Sequence, residues 1–391
     1  MRSKLGMRQL VIWVLFLLGL VALVFLTARQ VMTDPWLQLD DFVEYWSAGR
    51  LNMTRGNPYD PQQLEALQAQ TGRTHMIPVM MWNPPWMLAL VMPFGVASYI
   101  VSRVAWLFFN FALVFVCVEL LWRMYGGAAR YRWIGWLVGL GFTPVLQALK
   151  TGQSGTLLLA GLVGFLYFIK QRKDFLAGAV LMLSTLKPHI PYLVFILLLL
   201  WSWKYKRWGA LFGLAASLAA ATLVVWLANP AFLQQYLYAV DNFPPTDWAT
   251  PTIGGALRLF LGTQYFWMQF VGPTIGILWL LFYWKRHAGS WDWAVNAPLL
   301  VVVSMVTAAY GWTSDQTVAL VAVIAVFAVY SNHRWTVCVK SCVGLFVLIN
   351  LVVALTPGNQ IYRWWVGPTQ LVWYVLAHHC ARSVSAQGVE R

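Results

Sequence analysis

The chain has 391 residues, of which 60% are apolar and only 10% are charged. Soluble domains run near 25% charged, so a large water-facing domain is excluded. The formal net charge of +14 would suit nucleic acid, but in so apolar a chain Lys and Arg mark cytoplasmic loops, and no nucleic-acid partner is expected.

Apolar runs of about 16 to 22 residues recur along the chain, close to the roughly 20 that a helix needs to cross a bilayer. The predicted fold class is all-α, a polytopic transmembrane helical protein of about 12 spans. The abundant Trp and Tyr suit interfacial anchoring as well as core packing. Cys117, Cys338, Cys342 and Cys380 all lie within or at the ends of apolar runs. That placement suggests neither a disulfide nor a metal site.

Residues 1–26 have a basic start and an apolar run but no small-residue cleavage site. They read as an uncleaved first helix that begins inside, with the span itself at 10–28. A polar loop, 29–81, follows. It should hold two short helices, 42–52 and 61–70, parted by the turn Arg55-Gly56-Asn57-Pro58-Tyr59-Asp60. The first of them is amphipathic and could lie in the membrane interface. Next, Trp82-Asn83-Pro84-Pro85-Trp86 leads into 84–96, an apolar stretch broken by Pro93 and Gly95. It could be re-entrant or a short span.

The remaining spans are expected at 100–122, 133–149, 154–169, 175–186, 190–203, 208–228, 265–284, 294–310, 316–330, 337–355 and 364–377. A second large loop occupies 229–263. The whole of 1–381 reads as one transmembrane domain, and 382–391 as a disordered tail.

Charge decides the ambiguous stretch. If 84–96 does not cross, both termini are cytoplasmic. Clusters such as Arg123/Arg130/Arg132, Lys170/Arg172/Lys173 and Lys204/Lys206/Arg207 then fall inside. If it crosses, that bias is lost. The first arrangement gathers Asp40, Asp41, Glu44 and Asp315 on the extracytoplasmic face with several polar helix ends.

Each of these polar motifs has a structural and a chemical reading. Asp41 with Glu44 makes an Asp-x-x-Glu capping box for the helix that starts at Phe42. A cap accounts for one acid, whereas Asp40-Asp41 supplies two, and an ionised carboxylate there could act as a base. Trp82-Asn83-Pro84-Pro85-Trp86 is either a helix start or a rigid aromatic lip over a sugar or isoprenoid. Thr151-Gly152-Gln153-Ser154 is either a helix cap or a polar contact to a sugar hydroxyl or phosphate. Lys187-Pro188-His189 offers a snorkelling lysine or a phosphate ligand with His189 as a second donor. Arg258 and Arg363 are further outward cations. Thr313-x-x-Gln316 is a second possible capping box, and Asp315 beside it a possible sugar contact.

In this order the motifs resemble the polyprenyl-phosphate-sugar-dependent glycosyltransferases of the GT-C type, and most closely glycosyltransferase family 87. That group includes mycobacterial phosphatidylinositol mannoside mannosyltransferases. The pieces are Asp41-Phe42-Val43-Glu44-Tyr45 with Gly56-Asn57-Pro58-Tyr59, Asn83-Pro84-Pro85-Trp86, Gly152-Gln153, Leu186-Lys187-Pro188, Asn229-Pro230 with Thr250-Pro251-Thr252, and Trp312-Thr313-Ser314-Asp315. The resemblance implies a GT-C fold in the plasma membrane. It also implies inverting transfer of a hexose, mannose-like, from a polyprenyl phosphate to a lipid or glycan acceptor outside the cytoplasm. Asp41 would be the base, with Asp40 as its near alternative. Lys187, His189 and Arg258 would serve the donor phosphate. Gln153, Asp315, Asn83 and Trp82 would serve the sugar or acceptor. The family is similar to those that need no metal, so no cofactor is expected. The rival readings are a lipid-linked-sugar flippase or transporter, and an O-antigen-type polymerase. A transporter tends to place its polar site near the bilayer midplane, whereas here the polar residues gather at one face.

Overall fold

The structure is a computed structural model that describes residues 41–73, 77–245, 248, 250–356 and 360–389. The expected span at 10–28 and Asp40 lie outside the described residues. Within them every regular element is helical, as the composition required. Five helices are long and apolar enough to cross a membrane: Tyr99–Met124, Gly209–Ala228, Phe266–His287, Thr313–Tyr330 and Val337–Leu355. Shorter apolar helices accompany them, so a count of about 12 spans is not reached by length alone.

The first loop forms the two short helices expected of it, α1 (Phe42–Met53) and α2 (Pro61–Ala69). Helix α1 does not lie in an interface as an amphipathic helix would. It buries every residue except Arg50 and Met53. The short helix α3 (Leu88–Gly95) covers one side of it, and the two backbones cross at Gly49 and Gly95. At 1.5 Å per residue α3 is about 12 Å long, well short of a bilayer core of about 30 Å.

On the other side stands α4 (Tyr99–Met124), whose Trp106 ring meets Phe42 at 5.4 Å and Tyr45 at 5.7 Å. Such aromatic pairs each contribute about 0.5–1.5 kcal/mol beyond their buried area. Buried Gln68 of α2 ties the strap after it to α1. Its amide nitrogen donates to Ser47 Oγ (3.1 Å) and to the Val79 carbonyl (2.9 Å), and its oxygen accepts from Val79 N (2.9 Å). Both ends of the amide are therefore satisfied, as burial demands.

The stretch 133–149, expected as one span, is two helices, α5 (Arg132–Gly141) and α6 (Thr143–Thr151). Pro144 starts α6, where a proline costs no hydrogen bond, and Asn350 Oδ1 accepts from Thr143 N at 2.9 Å. Helix α7 (Gly155–Lys170) follows, and then α8 (Asp174–Leu181), which runs into a 3-10 turn at Met182–Leu186. Then come α9 (Tyr192–Tyr205), α10 (Gly209–Ala228), α11 (Phe232–Asn242), α12 (Ile253–Leu261), α13 (Val271–His287) and α14 (Trp293–Val306). A 3-10 helix, Thr313–Ala319, leads into α15 (Leu320–Tyr330).

The chain closes with α16 (Val337–Leu355) and α17 (Val366–Val389). Helix α17 continues past Arg382 into the stretch expected to be a disordered tail. Cys338 of α16 is disulfide-bonded to Cys380 of α17, with Cys342 close by. No disulfide was expected from the Cys placement, because this pairing arises from the packing of two helices and not from a Cys spacing.

The two large loops touch. Asn229 Nδ2 donates to the Gly56 carbonyl at 3.1 Å, and the Tyr59 and Tyr236 rings meet edge to face at 5.2 Å. These contacts close one end of the helix bundle over a polar interior.

Candidate active site

Asp41 precedes α1 but does not cap it. No side-chain cap bond forms, and the Glu44 amide donates instead to the Asp41 backbone carbonyl at 3.1 Å. The expected Asp-x-x-Glu capping box is therefore absent. Its Oδ2 accepts a hydrogen bond from Gln153 Nε2 at 2.9 Å.

Gln153 is presented by the tight turn between α6 and α7. Gly152 takes φ 74°, the left-handed conformation that glycine adopts without strain. Its carbonyl is held by Trp106 Nε1 at 2.7 Å. Three residues on from Gly152, a Cβ on Gly155 would run into the Ser314 carbonyl oxygen. Glycine there lets the start of α7 abut the 3-10 helix that carries Asp315. Gln153 Oε1 accepts from Lys187 Nζ (2.8 Å) and from Tyr45 OH (3.1 Å). An ammonium can only donate, so Lys187 dictates which end of the amide faces it and which faces Asp41.

Lys187 Nζ also donates to Asp315 Oδ1 at 2.8 Å, in an ion pair with 11% and 1% of the two side chains exposed. Asp315 Oδ2 in turn accepts from Trp312 N at 2.9 Å. The capping acid at this helix start is thus Asp315, where a Thr313-x-x-Gln316 box was expected. One chain of hydrogen bonds runs Asp41–Gln153–Lys187–Asp315. Its members lie 112, 34 and 128 residues apart in sequence.

Two adjoining cavities open on this chain. One, of about 310 Å³, is lined by Glu44, Asn83, Gln153, Lys187, His189 and Asp315, among others. The other, of about 680 Å³, is lined by Asp41, Glu44, Gln153, Ser314 and several aromatics. Both volumes fall in the range of small-ligand sites. Trp82, Trp248 and Trp312 line both cavities.

The remaining residues that the sequence singled out are distributed as follows. Trp82 is part of the shared aromatic wall. Asn83 lines the smaller cavity and fastens it, donating to the Leu186 carbonyl at 3.0 Å. His189 is in the same wall, half-buried, and burial pushes its imidazole down to about 4. Asp315 opposes that shift and Lys187 adds to it. At neutral pH His189 is therefore an uncharged donor and not a cation.

Arg258 is not among the residues that line either cavity. It is buried on α12 and donates to the Thr263 carbonyl (2.9 Å), the Trp248 carbonyl (3.3 Å) and Gln269 Oε1 (3.2 Å). Arg363 bonds Gln147 Oε1 and the Thr356 carbonyl.

Two residues of the cluster went unassigned in the sequence. Tyr45 orients Gln153 and also donates to Ser154 Oγ at 3.3 Å. Glu44, read there as half of a cap, lines both cavities. The signal was present, since positions three apart on a helix share a side. The capping box gave that spacing another explanation.

No curated protein and no solved structure matches the chain. The profile of glycosyltransferase family 87 matches residues 82–331, a stretch that contains Gln153, Lys187 and Asp315 and begins after Asp41. On that match, the protein belongs to glycosyltransferase family 87.

Proposed function

We propose that the protein is an inverting hexosyltransferase that takes a mannose-like sugar from a polyprenyl phosphate on the extracytoplasmic side of the plasma membrane and passes it to a lipid or glycan acceptor. The observation that carries this reading is the hydrogen-bond chain from Asp41 to Lys187, with an acid and a cation in adjoining cavities. The donor phosphate would sit in the smaller cavity against Lys187, and the acceptor hydroxyl in the larger one against Asp41. His189 would serve the phosphate as a neutral donor.

The step is a single displacement. The acceptor oxygen attacks the anomeric carbon while its proton passes to Asp41. The bond from that carbon to the phosphate oxygen breaks on the opposite face, and the electron pair leaves with the polyprenyl phosphate. Lys187 has three N–H groups. Two of them hold Gln153 and Asp315, and the third meets the growing charge on the phosphate. Asp315 fixes the ammonium in place, and Gln153 holds Asp41 at the right distance from it. Trp82, Trp248 and Trp312 provide the aromatic faces on which sugars stack. No metal is required by this scheme, because Lys187 takes the charge that a metal would otherwise take.

The test is Asp41→Asn, assayed with a polyprenyl-phosphate hexose in proteoliposomes. Turnover is expected to fall by about a hundredfold to ten-thousandfold, the contribution of a general base, with the protein still monodisperse. Near-normal turnover would remove Asp41 from the base role.

A further inference from the structure

Glu44 is the acid of this site that the mechanism above does not use. It lines both cavities, so it stands where they meet. It is 7% exposed, on a helix whose backbone is clamped by α3. The titratable and charged groups that face it are Asp41, just before its helix, Tyr45 beside it, and Lys187 and Asp315 from other elements. His189, Tyr236 and Tyr310 complete the lining of the smaller cavity.

Charge balance limits what Glu44 can be when a phosphate enters. Lys187 is already matched by Asp315, and Asp41 must be ionised to accept a proton. A second charged carboxylate at the junction would repel the phosphate, and among the described residues that line the two cavities Lys187 is the one cation to offset it. A neutral carboxyl has the opposite effect, because it offers an O–H donor where a carboxylate can only accept.

We propose that Glu44 binds the phosphate-linked donor as a neutral carboxylic acid, giving a hydrogen bond to a phosphate oxygen beside Lys187. This rests on reading the site as one for phosphate-linked sugars. The division of labour then follows from environment. Asp41, in the larger cavity, takes the proton of the acceptor in the proposed step. Glu44, three residues on and more deeply set, keeps its proton and supplies a bond. Burial first, and the Asp41 carboxylate next, hold the Glu44 carboxyl well above the usual carboxylate range, while Lys187 pulls the other way.

The experiment titrates the full-length protein in nanodiscs with a short-chain polyprenyl monophosphate, across a range of pH, and follows tryptophan emission. Glu44→Ala should weaken binding by about tenfold or more, the loss of one hydrogen bond to a charged group. Glu44→Gln, which keeps the size and a neutral donor, should recover most of that loss. Wild-type affinity should fall as pH rises through the ionisation of Glu44, and Glu44→Gln should lack that limb. The difference between the two profiles cancels the ionisation of the phosphate itself.

Three results would each overturn the proposal. These are wild-type affinity in Glu44→Ala, a loss in Glu44→Gln as large as in Glu44→Ala, and identical pH profiles for wild type and Glu44→Gln. Asp41→Asn separates this idea from the base assignment. If that variant turns over normally the base reading fails, while the Glu44 binding profiles still stand. A wild-type protein that binds no phosphate probe removes both.

Discussion

Helix α1 buries Glu44, Ser47 and Asn52 along with its aromatics, whereas α10, eight residues longer, buries only Ala210, Gly213, Ala221 and Val225. Helix α10 leaves Phe212, Leu223 and Leu227 more than half exposed. In a water-soluble protein that would be the wrong way round. The inversion makes sense if the medium around α10 is hydrocarbon, where large apolar side chains lose nothing by facing outward. Polar side chains must then find their partners inside the protein. Helix α1 is where they find them, so a short helix that carries buried polar groups is almost wholly enclosed, while a long apolar one is not. Burial here reports on chemistry, and exposure reports on the solvent.

That contrast can be broken by substitution, starting where the largest effect is expected. Asp315→Asn leaves the buried Lys187 ammonium without its counter-charge. Removing one member of such a pair costs about 3–5 kcal/mol, so the melting temperature in detergent should drop sharply and turnover with it. A variant as stable as wild type would mean that Lys187 reaches solvent or another anion. Gly155→Ala pushes a methyl group toward the Ser314 carbonyl. Overpacking of this kind costs about 1–3 kcal/mol, and chemical denaturation would measure it.

Glu44→Gln tests the pH dependence of stability. A carboxyl whose pKa is raised on folding contributes stability below its unfolded value and loses it as pH rises through its folded value. Wild type should therefore weaken relative to Glu44→Gln as pH is raised from acid to alkaline. Parallel stability curves would show that folding leaves the Glu44 carboxyl at its unfolded pKa. At the other extreme, Leu223→Ala on α10 removes a side chain that faces outward. It should change stability by less than about 0.5 kcal/mol, and a larger loss would reveal a protein partner on that helix.

Much of the fold was legible because the hydrophobic pattern is strong. Helix α16 has the bounds read from its apolar run, and α1 and α2 agree to within a residue. What escaped were features set by partners far away in sequence. The break between α5 and α6 is stabilised by Asn350, 207 residues on. The tail becomes helix as α17 packs beside α16. At the site, Asp41, Gln153, Lys187 and Asp315 were each visible as odd polar residues at helix ends. Their connection was not, because hydrogen bonds between residues 34 to 128 positions apart leave no local trace. The reverse also happened, in that local rules suggested a capping bond for Asp41, whose carboxylate bonds Gln153 instead, and a Thr313 box where Asp315 is the capping acid.

The family match runs from Trp82 to Ser331, yet bonds essential to that interval come from outside it on both sides. Tyr45 and Asp41 complete Gln153 from the N-terminal side, and Asn350 completes the start of α6 from the C-terminal side. The recognisable segment is therefore a signature and not a module. Cutting the gene at its borders would yield a fragment missing its proposed base and the lock on one of its own helices.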